Sequence, residues 1–223
     1  MIAAVAGQRG VTIPAGPDRL PGILAWPSQP AGMVLFVHGS GSGRLSPRNA
    51  SVAGQLRAAG IGTLLFDLLT EREALDRSNV FDIDLLSHRL LVATEWLSQQ
   101  PEAGCLPLGY FGASTGAAAA LRAAAASADI AAVVSRGGRP DLAGEALSRV
   151  RAPTLLLVGS RDPTVLHLNQ MALSRLTCFA RLVIIPNAGH LFEEPGTLEE
   201  VGNLAARWLV HHLVRPVGAP SRS

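Results

Sequence analysis

The feature that most restricts how this chain can fold is a regular alternation of short apolar runs with helix-forming stretches. MVLFVH (33–38), IGTLLFD (61–67), LPLGYFGA (106–113) and APTLLLVG (152–159) suit strands buried on both faces; IAAVVS (130–135) and RLVIIP (181–186) complete the set. Between them lie SVAGQLRAAG (51–60), which ends on a glycine, and FDIDLLSHRLLVATEWLSQQ (81–100), apolar at helical spacing and stopped before Pro101. GAAAALRAAAA (116–126) is almost pure helix former, and TVLHLNQMALSRL (164–176) and LEEVGNLAARWLVHHLV (198–214) follow the same pattern. Strand and helix in turn predict an α/β protein with a mostly parallel central sheet and helices on both faces. Ahead of that array, GVTIP and GILAW, cut by Pro14, Pro17, Pro21 and Pro27, predict a small antiparallel ribbon at one edge of the sheet. We expect a single domain over residues 1–215 and a flexible tail over 216–223, PVGAPSRS, which has no pattern.

Composition removes several kinds of chemistry. All 19 basic residues are arginine, so no Schiff base, Ser-Lys dyad or P-loop lysine is available. The arginine and alanine bias points to a GC-rich bacterial genome. A net charge of +2, with no like-charge run and no aromatic-plus-basic stripe, argues against a nucleic-acid surface. Cys105 and Cys178 match no metal or redox spacing and are expected as buried free thiols. The start MIAAVAGQRG lacks the basic and apolar regions of a secretory signal, and no apolar run approaches the roughly 20 residues of a membrane span. A cytoplasmic protein with no membrane or nucleic-acid partner, monomer or homodimer, is the expectation.

In parallel sheets functional groups gather beyond the carboxyl ends of the strands. Here those positions hold His38-Gly39-Ser40-Gly41, Asp67, Ser114, Arg136, Asp162 and His190. Gly112-Ala113-Ser114-Thr115-Gly116 fits G-x-S-x-G, a sharp strand-to-helix turn that lifts a serine hydroxyl above the sheet. The plain alternative is a serine that merely caps the helix. A serine is a poor nucleophile without a base, and the base needs a carboxylate to orient it, in the chain order Ser, acid, His. GSRDPTV supplies Asp162 just past one strand, and IPNAGHLFEEPG supplies His190 just past the next. We therefore read Ser114, Asp162 and His190 as a catalytic triad.

Other candidates are weaker. His88 and His167 fall within helical patterns, and His211 and His212 lie near a helix end where a cation suits the dipole. None has metal-ligand spacing. Asp141 is the runner-up acid, Asp67 could line a pocket, and Asp82 and Asp84 read as caps at a helix start. His38 precedes a Gly-rich loop that fits neither G-x-G-x-x-G nor a Walker A, and is expected to brace that loop. The same loop is placed to supply an oxyanion-hole amide, so Thr115 and Ser40, with Gly41 as the alternative to Ser40, are the expected backbone donors.

HGSGSG (38–43), GASTG (112–116), RDPTV (161–165) and AGHLFEEPG (188–196) together resemble the α/β-hydrolases, and within them the dienelactone hydrolase-like group, over about residues 20–214. The resemblance implies an α/β-hydrolase fold and a cofactor-free hydrolase acting on carboxylic esters or related small acyl substrates. Dienelactone hydrolases proper use a cysteine where this chain has Ser114, which favours a general esterase over a lactone-specific one. A thioesterase or peptidase-like activity on the same triad, or ligand binding without catalysis, are the rival readings. Arg44, Arg48, Arg136 and Arg139 follow strand ends; they either form ion pairs, with Glu193 or Glu194 among the partners, or grip a substrate anion. With His38, the arginines at 44, 136 and 139 are the pocket candidates. The segment between Ser135 and Pro153 is too short for a cap domain, so an open site with little lid is expected.

Overall fold

Each apolar run becomes a strand of one eight-stranded sheet in the computed structural model, which describes residues 5–213. In chain order the elements begin with β1 (Val5–Ala15), β2 (Asp18–Pro27), β3 (Met33–Val37), α1 (Pro47–Ala58) and β4 (Gly62–Phe66). Next come α2 (Glu71–Ala74), α3 (Arg77–Phe81), α4 (Ile83–Ser98), β5 (Leu108–Ala113) and α5 (Thr115–Ala126). Then β6 (Ile130–Arg136), a 3₁₀ stretch (Pro140–Arg149), β7 (Thr154–Gly159), α6 (Pro163–Leu173), β8 (Ala180–Ile185) and α7 (Thr197–Leu213) complete the fold. The tail expected over 216–223 lies outside the described residues, as do residues 1–4.

The sheet order is β1-β2-β4-β3-β5-β6-β7-β8. The β1–β2 ribbon is antiparallel and joins the sheet edge through an antiparallel β2–β4 pairing, while all other neighbours are parallel. Alternation along each strand divides the core in two. Met33, Leu35 and Val37 of β3 pack on the side of α4 and α5, whereas Val34 and Phe36 pack on the side of α1 and α7. The alanines of α5 are almost wholly buried, so small side chains bring this helix close to the central strands. The strand β8 is an outer strand with Arg181 and Ile184 exposed, so its apolar run covers only part of one face.

Three features differ from the sequence expectation. The helix α1 starts earlier than residue 51, because Ser46 caps the amide of Asn49 and Pro47 takes the first helical position. Between Asp67 and the helix expected from residue 81, the structure adds α2 and α3, the first capped by a reciprocal Thr70–Glu73 capping box. Cys105 is exposed, not buried, because it falls in the turn after α4; Cys178 is half-buried. Asp82 does cap α4, through the amide of Leu85.

The segment 67–82 is tied down by Arg89 of α4. Its guanidinium, 8% exposed, binds Asp18 at 2.5 Å, Glu73 at 2.8 Å and the carbonyl of Ala15 at 3.0 Å. One side chain thus joins the β1–β2 turn, α2 and α4. Replacing it with alanine would strand two carboxylates that are themselves partly hydrated, so we expect Arg89→Ala to cost about 2 kcal/mol. Urea denaturation should read the loss as a lower midpoint at unchanged slope.

Candidate active site

Ser114 joins β5 to α5 with φ 50° and ψ −125°, in backbone space that L-residues rarely enter. Its hydroxyl makes no capping hydrogen bond, so the capping role does not describe it. Sterics explain the flanking glycines. A β-carbon on Gly116 would lie 2.1 Å from the Val37 carbonyl oxygen, and one on Gly112 would lie 2.5 Å from the Ala117 α-carbon. The turn is held from the next strand: the Ser114 amide donates to the Arg136 carbonyl at 3.3 Å, and the Arg139 amide donates to the Ser114 carbonyl at 3.0 Å.

Asp162 follows β7 and does two jobs. One carboxylate oxygen caps α6 at the Val165 amide, and the other lies 2.6 Å from His190 Nδ1. The imidazole stands in the loop after β8 and is 40% exposed at its side chain, against 15% for Asp162. This loop lies over Gly137, where an added β-carbon would be 3.0 Å from the His190 carbonyl and 3.2 Å from Phe192. Glu194 fixes the loop from the other side, its carboxylate accepting from the Gly189 amide at 3.0 Å. That backbone hydrogen bond holds the Glu194 carboxyl below its ordinary pKa. The structure joins His190 to Asp162 but forms no hydrogen bond from Ser114 Oγ to the ring, a contact that commonly tightens only with substrate bound.

The Gly-rich loop reaches the same place. Gly39 packs so closely that a β-carbon there would be 2.8 Å from Ser114 Cβ, which sets Ser40 beside the serine. His38 braces the loop: Nε2 accepts from the Leu68 amide and Nδ1 donates to the Gly39 carbonyl, both at 3.0 Å. Burial above all holds this imidazole below its ordinary pKa, and with both nitrogens engaged it is committed to the neutral form. The far end is tied to Asp67, which accepts from the Arg44 amide at 2.6 Å and pairs with its guanidinium.

Beside the loop lies a cleft of about 520 Å³. Ser40, Gly41, Thr115 and Arg48 line one part, and Leu69, Val80 and Leu86 give it an apolar side. The segment carrying α2 and α3 therefore covers part of the cleft, a short lid that comes from between β4 and α4. Sequence reasoning missed it, although T-x-x-E at 70–73 was the available sign.

The remaining candidates separate clearly. Arg44 pairs with Asp67, Arg48 with Glu193 at 3.2 Å, and Arg139 with Asp141 at 2.8 Å. That engagement removes Asp141 as a rival orienter of His190. Arg136 is buried without any such pair among the described residues. His88, His167 and His211 are exposed on their helices and His212 is half-buried beside Trp208. Among the described residues no helix is long and apolar enough to cross a membrane.

The sheet order, the strained serine turn and the helices on both faces define an α/β-hydrolase fold without a sizeable cap domain. Comparison with solved structures agrees: a dienelactone hydrolase from Anabaena variabilis is 52% identical, with a TM-score of 0.90 over 93% of this chain and 98% of that one. The chain belongs to the dienelactone hydrolase family. Est1E of Butyrivibrio proteoclasticus, at 14% identity and TM-score 0.78 over 92% of this chain and 99% of that one, shares the fold alone. Two Mycobacterium tuberculosis proteins, from strains CDC 1551 / Oshkosh and H37Rv, are 56% identical over 207 residues, 92% of this chain. Both carry a provisional phosphoribosyl transferase name, and this chain spans only 47% of their length. No family model matches the chain.

Proposed function

We propose that the chain is a cofactor-independent serine hydrolase that cleaves small carboxylic esters through an acyl-enzyme. Ser114 attacks the ester carbonyl while His190 takes its proton, and Asp162 orients the imidazole and stabilises its charge. The amides of Thr115 and Ser40 receive the oxyanion; water then attacks the acyl-enzyme with His190 again as base. The observation that carries this reading is the 2.6 Å contact between Asp162 and His190 Nδ1, which leaves Nε2 as the ring atom free to serve the serine. The strained, uncapped backbone of Ser114 supports the same role, since nothing in helix capping requires it. An exposed imidazole and a short lid favour small or open acyl substrates over long lipids.

A fluorophosphonate probe tests the reading directly, because it reacts only with an activated serine. Wild type should label at one site and Asp162→Asn at a rate lower by about 10³-fold or more; equal labelling of the two would remove the triad from the account. Glu194 acts through position, not contact with substrate. Glu194→Ala frees the Gly189 amide, and we expect kcat for p-nitrophenyl acetate to fall about 10-fold with KM little changed. Glu194→Gln, which retains one acceptor oxygen, should recover part of that loss.

A further inference from the structure

The two edges of the sheet are finished differently. Along β1, Pro14 interrupts the edge and Gln8, Arg9 and Thr12 stand exposed, devices that discourage pairing with another chain. The strand β8 has little of this: from Ala180 to Ile185 it contains no proline or glycine and a single charge, Arg181. The backbone of Phe179 and of Ile185 faces β7, their carbonyls accepting from the amides of Thr154 and Ser160 at 2.9 Å. By alternation Arg181 and Val183 face β7 as well. The amides and carbonyls of Ala180, Leu182 and Ile184 therefore point to the open edge, with no strand beside them among the described residues.

Apolar side chains flank that edge on both faces of the sheet. On one face Phe179, 57% exposed, stacks on Trp208 of α7 with ring centroids 5.5 Å apart; Ile184, 45% exposed, points to the other face. Trp208 belongs to a row along α7, Glu200–Leu204–Trp208–His212, at the four-residue spacing of one helix face. The row runs beside β8 in the opposite direction. Trp208 and His212 lie at its Phe179 end, whereas Glu200 shares a shallow depression with Pro186 and Asn187, just past Ile185. The lengths match: α7 rises about 18 Å from Glu200 to His212, and β8 extends about 17 Å from Ala180 to Ile185. Charge is divided between the ends. Arg181, over the Phe179 ring at 5.8 Å, stands toward the amino end and Glu200 at the carboxyl end. Both are exposed, and among the described residues neither has an ion-pair partner within the chain.

We propose that β8 and this row of α7 form a two-fold interface with a second copy of the chain, the two β8 strands pairing antiparallel into one continuous sheet. The free backbone groups fix the register: Leu182 pairs with Leu182 of the other copy, and Ala180 with its Ile184. The axis is normal to the sheet, so both α7 helices stay on one side and the amino end of each β8 meets the carboxyl end of the other. Arg181 of one copy then comes alongside Glu200 of the other, twice in each dimer, and Phe179 comes opposite Ile185. This complementarity of charge favours a second copy as the occupant. The chain's own last ten residues suit the edge less well, because Pro216 and Pro220 interrupt any ladder they could form. The interface stands apart from the ester-cleaving reading and needs no substrate.

Sedimentation velocity of the full chain over a hundredfold range of micromolar concentration tests the proposal. Wild type should reach a species of twice the chain mass and none larger, because an isologous contact closes on itself. A wild type that stays monomeric throughout, or an open series of larger assemblies, would overturn it. Arg181→Glu and Glu200→Arg should each weaken the dimer about 10-fold or more by setting like charges across the seam. The double variant, with the charges exchanged, should return to within about threefold of wild type. Single variants that dimerise as wild type does, or a double variant as weak as either single, would overturn the proposal. Ile184→Pro removes an amide that faces the open edge and spares the bonds to β7, so it should weaken the dimer about 100-fold or more with an unchanged far-ultraviolet circular dichroism spectrum. A dimer that persists in this variant would put the contact on another face and overturn the assignment to β8. Should Ile184→Pro fail to fold, the exchanged charge pair decides alone.

Discussion

Ser114→Ala should lower kcat/KM for p-nitrophenyl acetate by about 10⁴-fold or more while the protein stays folded. The alanine keeps the β-carbon, and therefore keeps the backbone strain, but removes the one oxygen that can form the acyl-enzyme. Its thermal midpoint should match wild type, since the hydroxyl makes no hydrogen bond to lose. Ser114→Gly separates the two roles of the position. A residue at φ 50°, ψ −125° costs about 1–3 kcal/mol unless it is glycine, so this variant should be more stable than wild type by about 1 kcal/mol and equally inactive. Turnover that survives in both variants would move the chemistry to another residue. A loss of turnover accompanied by unfolding in Ser114→Ala would show instead that the turn needs its hydroxyl for structure.

What could be read from the sequence follows from how local each signal is. The strands β3 to β7 announce themselves because a strand buried on both faces must be apolar at every position. The candidate site was legible in outline for a related reason: Ser114 and Asp162 stand just past such strands, His190 follows the partly exposed β8, and Gly112 and Gly116 flank the serine at positions where an added β-carbon would clash. The helices α2 and α3 were not legible, because elements of four and five residues are too short for periodicity to speak. Their evidence lay in capping residues alone. Arginine pairing was legible only in part: ion pairs with Glu193 among the partners were expected, and Arg48 meets Glu193, but which arginine pairs with which acid could not be read. Arg48 meets Glu193 across 145 positions and Arg44 meets Asp67 across 23, so nothing local distinguishes them from Arg136, which meets no acid among the described residues. Burial of Cys105 was misjudged because composition predicts an average, and a turn after a helix is an exception to it.

The glycines of the turn carry the second large effect. In Gly116→Ala the new β-carbon would sit 2.1 Å from the Val37 carbonyl and 2.5 Å from the His38 carbonyl, both backbone atoms of β3 and the loop it feeds. No rotamer relieves such an overlap. Either α5 moves off the sheet, losing the tight packing of its buried alanines, or β3 and the His38–Gly39 segment shift away from Ser114. We expect a loss of about 3 kcal/mol, at the upper end of overpacking penalties, and a thermal midpoint lower by about 6–12 °C. Both routes reach the chemistry as well: movement of the helix carries the Thr115 amide with it, and displacement of the Gly-rich loop withdraws the Ser40 amide, so either one also lowers kcat about 10²-fold or more. Gly54→Ala is the matching control. It lies in α1 with open space where its β-carbon would go, the nearest atom being an Arg57 guanidinium nitrogen at 3.8 Å, so it should stabilise by about 0.5–1 kcal/mol and leave turnover alone. If both substitutions behaved alike, helix propensity would govern both positions and the close approach of α5 to β3 would not be what forces a glycine beside the serine.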